Sequence, residues 1–200
     1  MVKGEIMKSI ECRGMACPLP VVTVKRALEE PGSVGVTVML DDGAPRENVT
    51  RFARNRGYEV NEAVTADGIT LTITGSSGGV ASPTISSQPE RRNLFVTSDR
   101  LGDGPEELGR LLMKNFIITL LESPLLPDKI LLVNQGVLLA TEGSELLETL
   151  EKLGNRGVEL LSCGVCLDFF GKRDALRAGS VTNMFTIVET LMAAGGTIRL

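Results

Sequence analysis

Four cysteines are the residues of this chain whose types and spacing could do chemistry. Cys17 is followed at once by Pro18, with Pro20 two residues further on, and an amphipathic helical pattern begins there. Proline fits the first turn of a helix because its φ is already helical and its missing N–H would have had no partner. We therefore expect Cys17 at the mouth of a helix, near free backbone N–H groups and the positive end of the dipole. That setting favours the thiolate, which is the reactive form.

A second pair of thiols, Cys163 and Cys166, follows an apolar segment of strand length and opens another helical pattern. In open α/β sheets, ligands bind at the carboxyl ends of the strands. The pair could be a disulfide switch, a persulfide acceptor, half of a zinc site, or packing residues. A zinc site would need Cys12 and Cys17 as its other ligands. We favour a functional thiol pair.

Charged residues near the thiols could tune their reactivity. Arg13 lies four residues before Cys17 and could stabilise a thiolate or persulfide, or it could be an ordinary surface arginine. Lys172 and Arg173 follow the second pair by about two turns and would add positive charge there. Cys12 falls in or just after the first strand, where we expect it to be buried in the core.

Composition excludes several classes of function. The chain has 200 residues, a net charge of −4 and no histidine, which removes Ser-His and Cys-His dyads and every His-ligated metal site. We expect no metal and no cofactor, since the sequence also has no glycine-rich nucleotide cradle. Neither half has the basic excess of a nucleic-acid binder. No apolar run reaches transmembrane length and the N-terminus lacks a signal-peptide core, so we expect a cytoplasmic protein without a membrane partner.

The composition also divides the chain into two domains. Residues 76–92 have the Gly, Ser and Pro content of a flexible linker, which would span roughly 20–25 Å. Residues 1–75 show the order β-α-β-α-β-β, which predicts a two-layer sandwich. Residues 93–200 alternate short apolar strands with helices, which predicts a three-layer α/β/α domain around a mainly parallel sheet. The predicted fold class is therefore α/β in both domains.

The first loop resembles the Asp-x-Arg-Gly-x-x-Cys-Pro-x-Pro signature of the TusA/SirA sulfur carriers. The matching residues are Arg13, Gly14, Cys17, Pro18 and Pro20, and Glu11 stands where the carriers usually have Asp. The resemblance implies that Cys17 carries sulfur as a persulfide and that the two prolines set the loop. The Glu11 departure leaves open whether the local hydrogen bond to the loop is made. The extra thiol of Cys12 could compete by forming a disulfide with Cys17.

Residues 93–200 resemble the DsrE-like domain, particularly in the stretches Cys163–Leu167 and Thr182–Met184. Both domains in this order resemble the YedF-type proteins, which are linked to selenium metabolism. The resemblance implies a persulfide or selenide donor protein, such as a cysteine desulfurase, and a thiol acceptor protein. It also implies that the DsrE-like domain could form homo-oligomers.

These observations predict a sulfurtransferase-like carrier of sulfur or selenium. Cys17 would accept the atom and relay it, with Cys163 or Cys166 as one possible next holder. Two alternatives remain open from the sequence. One is a dithiol oxidoreductase that uses Cys163 and Cys166, and the other is a non-enzymatic regulatory module whose thiols sense oxidation.

Overall fold

The computed structural model describes residues 6–65, 68–75 and 92–200. The chain divides into two compact units, Met1–Ser86 and Ser87–Leu200. The linker predicted at residues 76–92 lies, apart from Arg92, outside the described residues. Within the described ranges, no helix combines the length and the apolar character needed to cross a membrane.

The first unit is a four-stranded sheet that packs against two helices. Strands β1 and β2 are parallel, β4 is antiparallel to both of its neighbours, and the order across the sheet is β1-β2-β4-β3. This arrangement confirms the predicted β-α-β-α-β-β sandwich. The element bounds are β1 Ile6–Glu11, α1 Leu19–Leu28, β2 Ser33–Leu40, α2 Ala44–Asn55, β3 Glu59–Thr65 and β4 Gly68–Thr74.

Alternation along β4 explains how this unit builds its core. Ile69, Leu71 and Ile73 are buried, while the threonines between them are partly exposed. A strand with this period buries one face, and the helices cover that face. Cys12 follows β1 and is fully buried in the same core, as expected. Its N–H donates to the carbonyl of Met39 at 2.9 Å and so extends the pairing of β1 with β2.

The second unit contains a five-stranded sheet in which all strand pairs are parallel, with the order β8-β7-β6-β5-β9. Three consecutive residues of β6, Ile130 to Leu132, are buried, which shows that both faces of this central strand are covered. The predicted α/β class is therefore confirmed here as well. The bounds are β5 Arg92–Val96, α3 Glu106–Leu121, β6 Lys129–Leu132, α4 Leu147–Asn155, β7 Glu159–Cys163, α5 Gly164–Phe169, β8 Ser180–Thr182, α6 Met184–Met192 and β9 Gly196–Arg199.

Two elements of this unit were not predicted from the sequence. A 3₁₀ helix covers Asn134–Ala140, and the edge strand β8 has three residues. The 3₁₀ helix lies so close to the end of β5 that a Cβ on Gly136 would stand 2.4 Å from the carbonyl oxygen of Val96. Its position thus depends on a tertiary contact, which hydrophobic periodicity does not report.

Candidate functional site

Cys17 is an exposed thiol on the loop between β1 and α1. Pro18 is the N-cap of α1, which begins at Leu19 and has Pro20 in its first turn. Both prolines are buried. The structure therefore confirms the expected position of Cys17 at a helix mouth, on a loop whose prolines pack inward while the thiol faces solvent.

The helix mouth offers fewer backbone donors than we expected. Pro18 and Pro20 have no N–H, and the N–H of Leu19 donates to the carbonyl of Ala16 at 3.0 Å. In the part of the chain that the structure describes, Val21 is the remaining first-turn residue whose N–H could reach a ligand. The prolines that start the helix remove the donors on which the expectation relied.

Glu11 stabilises the start of the loop by hydrogen bonds to Arg13. The Glu11 carboxylate accepts hydrogen bonds from the backbone N–H of Arg13 at 3.0 Å and from its guanidinium at 2.8 and 2.6 Å. The side-chain hydrogen bond is the main reason that the pKa of Glu11 falls to about 2. The longer Glu11 thus makes the local hydrogen bond that its departure from the family pattern had left open. Two of the guanidinium nitrogens of Arg13 are engaged by this carboxylate, so its charge is at least partly neutralised.

A second carboxylate, which sequence reasoning missed, holds Gly14. Asp41 Oδ2 accepts the N–H of Gly14 at 2.6 Å. Gly14 has φ of +70°, in the left-handed region that favours glycine. Asp41 directly follows β2, and β1 and β2 are parallel neighbours whose carboxyl ends meet at one edge of the sheet. That adjacency was the signal that could have identified Asp41.

A small cavity of about 230 Å³ opens beside Cys17, between the loop and the first turns of α2. Its volume is below the roughly 300–1,000 Å³ of most sites for small-molecule ligands and cofactors. It suits a single apolar side chain better. The wall is mainly apolar, with one amide, and consists of Met15, Ala16, Cys17, Pro18, Pro20, Val21, Ala44, Pro45 and Asn48.

The second thiol pair lies at the carboxyl edge of the parallel sheet. Cys163 ends β7 and is fully buried, whereas Cys166 in α5 is partly exposed. The backbone N–H of Asn134, the first residue of the 3₁₀ helix, donates to Cys166 Sγ at 3.1 Å. Asn134 has φ of +51°, an uncommon value for a residue other than glycine. Residue order alone does not predict this contact, because it depends on where the end of β6 meets α5.

The electrostatics of this pair differ from our expectation. Burial raises the pKa of the Cys166 thiol, the N–H of Asn134 acts in the opposite direction, and the neighbouring Cys163 raises the pKa further. Cys166 is thus held mainly as a thiol at neutral pH. Arg173 does not bring an unpaired charge, since its Nη2 donates to Asp168 at 2.7 Å. Lys172 lines a separate cavity that also contains acidic residues.

A Cys12–Cys17 disulfide and a zinc site that uses these two cysteines fit the structure poorly. All four cysteines are free thiols, and Cys12 is buried in the core while Cys17 is exposed. Among the described residues there is no group of three or more Cys, Asp or Glu side chains that could hold a metal ion. Three of the four thiols are therefore candidates for chemistry, Cys17 as a single exposed thiol and Cys163 and Cys166 as a pair, while Cys12 belongs to the core.

Residues 8–75 match the family model described as Sulfurtransferase TusA. A sulfur carrier protein of Methanocaldococcus jannaschii is 42% identical over 55 residues, which cover 27% of this chain and 73% of that protein. The chain belongs to the TusA family of sulfur carriers. A sulfur carrier protein of Thermotoga maritima is 34% identical over 64 residues, which cover 31% of this chain and 80% of that protein.

A solved SirA-like protein from Desulfitobacterium hafniense is 36% identical and covers 35% of this chain and 99% of its own, with a TM-score of 0.33. The TusA match contains the whole loop from Glu11 to Pro20 and ends before the second unit. The chain is thus a TusA-like sulfur carrier, a class of protein that relays sulfur between a donor and an acceptor.

Proposed function

We propose that Cys17 is the residue that carries the sulfur, as a persulfide. One observation supports this assignment most directly. The TusA-like unit has two cysteines, and Cys12 is fully buried while Cys17 is exposed. An incoming persulfide can reach Cys17 without disturbing the core.

The expected chemistry is thiol–persulfide exchange. The Cys17 sulfur attacks the outer sulfur of a donor persulfide, the S–S bond of the donor breaks, and the donor leaves as a thiolate. The donor is a persulfide-bearing protein such as a cysteine desulfurase, or for selenium the corresponding protein in which selenium replaces the outer sulfur of that persulfide, and the acceptor is a protein thiol. The proposal covers both chalcogens, because the same thiol can hold either atom. The cavity beside Cys17 could receive an apolar side chain of such a partner.

We further propose that the second unit is DsrE-like, and that the chain is a YedF-type protein which acts in selenium or sulfur metabolism. In this proposal the chalcogen passes from Cys17 to the pair Cys163 and Cys166. The position of the pair at the carboxyl edge of a parallel sheet supports a chemical role. A dithiol oxidoreductase is the second candidate, since the two thiols are close enough to influence each other. An oxidoreductase needs both thiols of the pair but not Cys17, whereas the relay needs Cys17 and one thiol of the pair.

A cytoplasmic location and a homo-oligomer complete the proposal. Free thiols are typical of reducing compartments. Helix α6 leaves four apolar side chains at least half exposed, which is the kind of surface that oligomers bury. They are Met184, Phe185, Val188 and Met192. The mass in solution of the full chain and of Phe185→Asp would test this, with Val64→Asp as the control because Val64 is similarly exposed in the first unit.

The test of the carrier function is loading of the full chain. After incubation with a cysteine desulfurase and cysteine, peptide mass spectrometry should find one extra sulfur on the Cys17 peptide. Cys17→Ser should abolish that loading, and Cys12→Ala should load like the wild type. If the first unit of the Cys17→Ser variant takes up as much sulfur as the first unit of the wild type, Cys17 is not the carrier.

A further inference from the structure

The two thiols of the second unit are unequal in access. Cys163 is fully buried among the core residues of the second unit, and Cys166 is partly exposed. An incoming group from outside can therefore approach Cys166 but not Cys163. Cys163 is the N-cap of α5 and Cys166 lies three residues later in the first turn of that helix, where the two side chains are close enough to hydrogen-bond to each other. The partly exposed Cys166 thiol therefore lies next to the buried Cys163 thiol.

The Cys166 sulfur also has a fixed position. The N–H of Asn134 points at it over 3.1 Å, from a backbone that is held in the left-handed conformation. A backbone donor stabilises negative charge on the sulfur that accepts its hydrogen bond. Cys166 would therefore gain this stabilisation as it reacts, and it cannot easily turn away from Cys163.

We propose that Cys166 receives the chalcogen and that Cys163 then expels it as hydrosulfide or hydroselenide, so that the pair is a reductive discharge site. This inference rests on the proposed loading of Cys17. It departs from a simple relay, because the atom leaves as a reduced anion and is not passed on as a persulfide.

The transfer to Cys166 is balanced for atoms and charge. The Cys166 thiolate attacks the outer sulfur of the Cys17 persulfide, that S–S bond breaks, and Cys17 leaves as a thiolate. Cys166 now carries a persulfide.

The discharge follows within the pair. The Cys163 thiolate attacks the inner sulfur on Cys166, a Cys163–Cys166 disulfide forms, and hydrosulfide leaves. The sulfane sulfur gains two electrons, which the two thiols lose as they form the disulfide. A dithiol reductant from outside must reduce that disulfide before the next cycle.

Proximity explains why discharge should prevail over onward transfer. A thiol held beside the reacting sulfur acts at an effective concentration far above that of any acceptor in solution. A persulfide on Cys166 would then be short-lived whenever Cys163 is present. The pair suits the release of a reduced chalcogen more than its storage.

The experiment is a single turnover without added reductant. The reduced full chain is mixed with a catalytic amount of cysteine desulfurase and one equivalent of cysteine, and sulfide detection and peptide mass spectrometry follow the reaction from the moment of mixing. The wild type should release one hydrosulfide for each disulfide formed in the pair. Cys163→Ser should retain the sulfur on Cys166 and release hydrosulfide at least about tenfold more slowly. Cys166→Ser should leave the sulfur on Cys17.

A second arm separates this inference from the carrier function. Cys17→Ser is given glutathione persulfide directly, with the variant that lacks all three thiols as background. Release with disulfide formation should again need both Cys163 and Cys166. If Cys17 fails to load but this arm succeeds, the proposed function fails and the discharge chemistry stands. Release from Cys163→Ser at the wild-type rate in this arm, or sulfur found on Cys163 in Cys166→Ser, would overturn the inference.

Discussion

Hydrogen bonds to two carboxylates determine the backbone of the loop on which Cys17 lies. Glu11 holds Arg13 and Asp41 holds Gly14, so both contacts lie three or four residues before Cys17. The Cys17 thiol takes part in neither of these hydrogen bonds. The loop can therefore keep its shape whether Cys17 is free or loaded, which is what a carrier needs.

Asp41 should matter for loading although it is remote from the sulfur in sequence. Asp41→Ala removes the acceptor of the Gly14 N–H, and a hydrogen bond at such an exposed site contributes about 1 kcal/mol. We expect a loss of that size in chemical denaturation and slower loading of Cys17. Asp41→Asn keeps an oxygen acceptor, so it should recover most of the stability and most of the loading rate. Glu59→Gln removes an exposed charge in the same unit and is the control. Unchanged loading in Asp41→Ala would show that this bond is irrelevant to the site.

The pH dependence of Cys166 provides a second test at this scale. Since burial and Cys163 raise the pKa of Cys166, little thiolate is present at pH 7, and its alkylation should accelerate by about tenfold per pH unit up to the pKa. Cys163→Ala removes one cause of the raised pKa, so alkylation of Cys166 at pH 7 should become faster. Peptide-resolved iodoacetamide labelling of the wild type and of Cys163→Ala between pH 7 and 10 measures the pH dependence of the alkylation rate and the effect of the substitution. A slower or equal rate in Cys163→Ala would contradict the stated cause of the shift.

At the scale of elements, sequence reasoning succeeded where one physical signal dominates. The alternation of Ile69, Leu71 and Ile73 identified β4, and the proline spacing identified the start of α1. It failed where a contact between distant segments decides the outcome. The N–H of Asn134 reaches Cys166 because β6 and β7 are neighbours in the sheet, and residue order alone does not reveal that. The same prolines that located Cys17 also removed the donors expected around it.

The 3₁₀ helix that begins at Asn134 offers a test of how this element positions the second thiol pair. A Cβ on Gly136 would lie 2.4 Å from the carbonyl oxygen of Val96, so Gly136→Ala must displace backbone. We expect a loss of about 1–3 kcal/mol in the free energy of unfolding of the second unit. Because Asn134 belongs to the same short helix, alkylation of Cys166 should change as well.

Gly154→Ala is the matched control for this substitution. Gly154 lies in α4, and the nearest atom to its added Cβ would be Leu160 Cδ1 at 3.9 Å, an ordinary contact. Alanine is the better helix former by about 0.5–1 kcal/mol, so this variant should be neutral or slightly more stable. A loss of stability in Gly154→Ala equal to that of Gly136→Ala would show that close packing at Gly136 is not the cause.

At the scale of the whole molecule, each unit has its own buried core. The first core surrounds Cys12 and the second contains Cys163, so Cys17 and the thiol pair belong to units that can each fold around their own apolar residues. The proposed transfer between Cys17 and the pair must therefore bring two separately organised sites together. The composition of residues 76–92 predicts a tether for this purpose, roughly 20–25 Å in root-mean-square length.

A tether of that length makes a kinetic prediction. It would hold the second unit near Cys17 at an effective concentration in the millimolar range, well above micromolar protein. Discharge of Cys17 in the full chain should therefore proceed at a rate independent of protein concentration. Separately expressed residues 1–75 and 93–200 should each show a cooperative unfolding transition. After the two fragments are mixed, Cys17 should discharge at a rate proportional to the concentration of the second fragment. Sulfide release measured over a tenfold range of concentration distinguishes the two cases. A full-chain rate that rises in proportion to concentration would mean that Cys17 delivers its sulfur to another molecule, because the tether would then contribute nothing to the encounter.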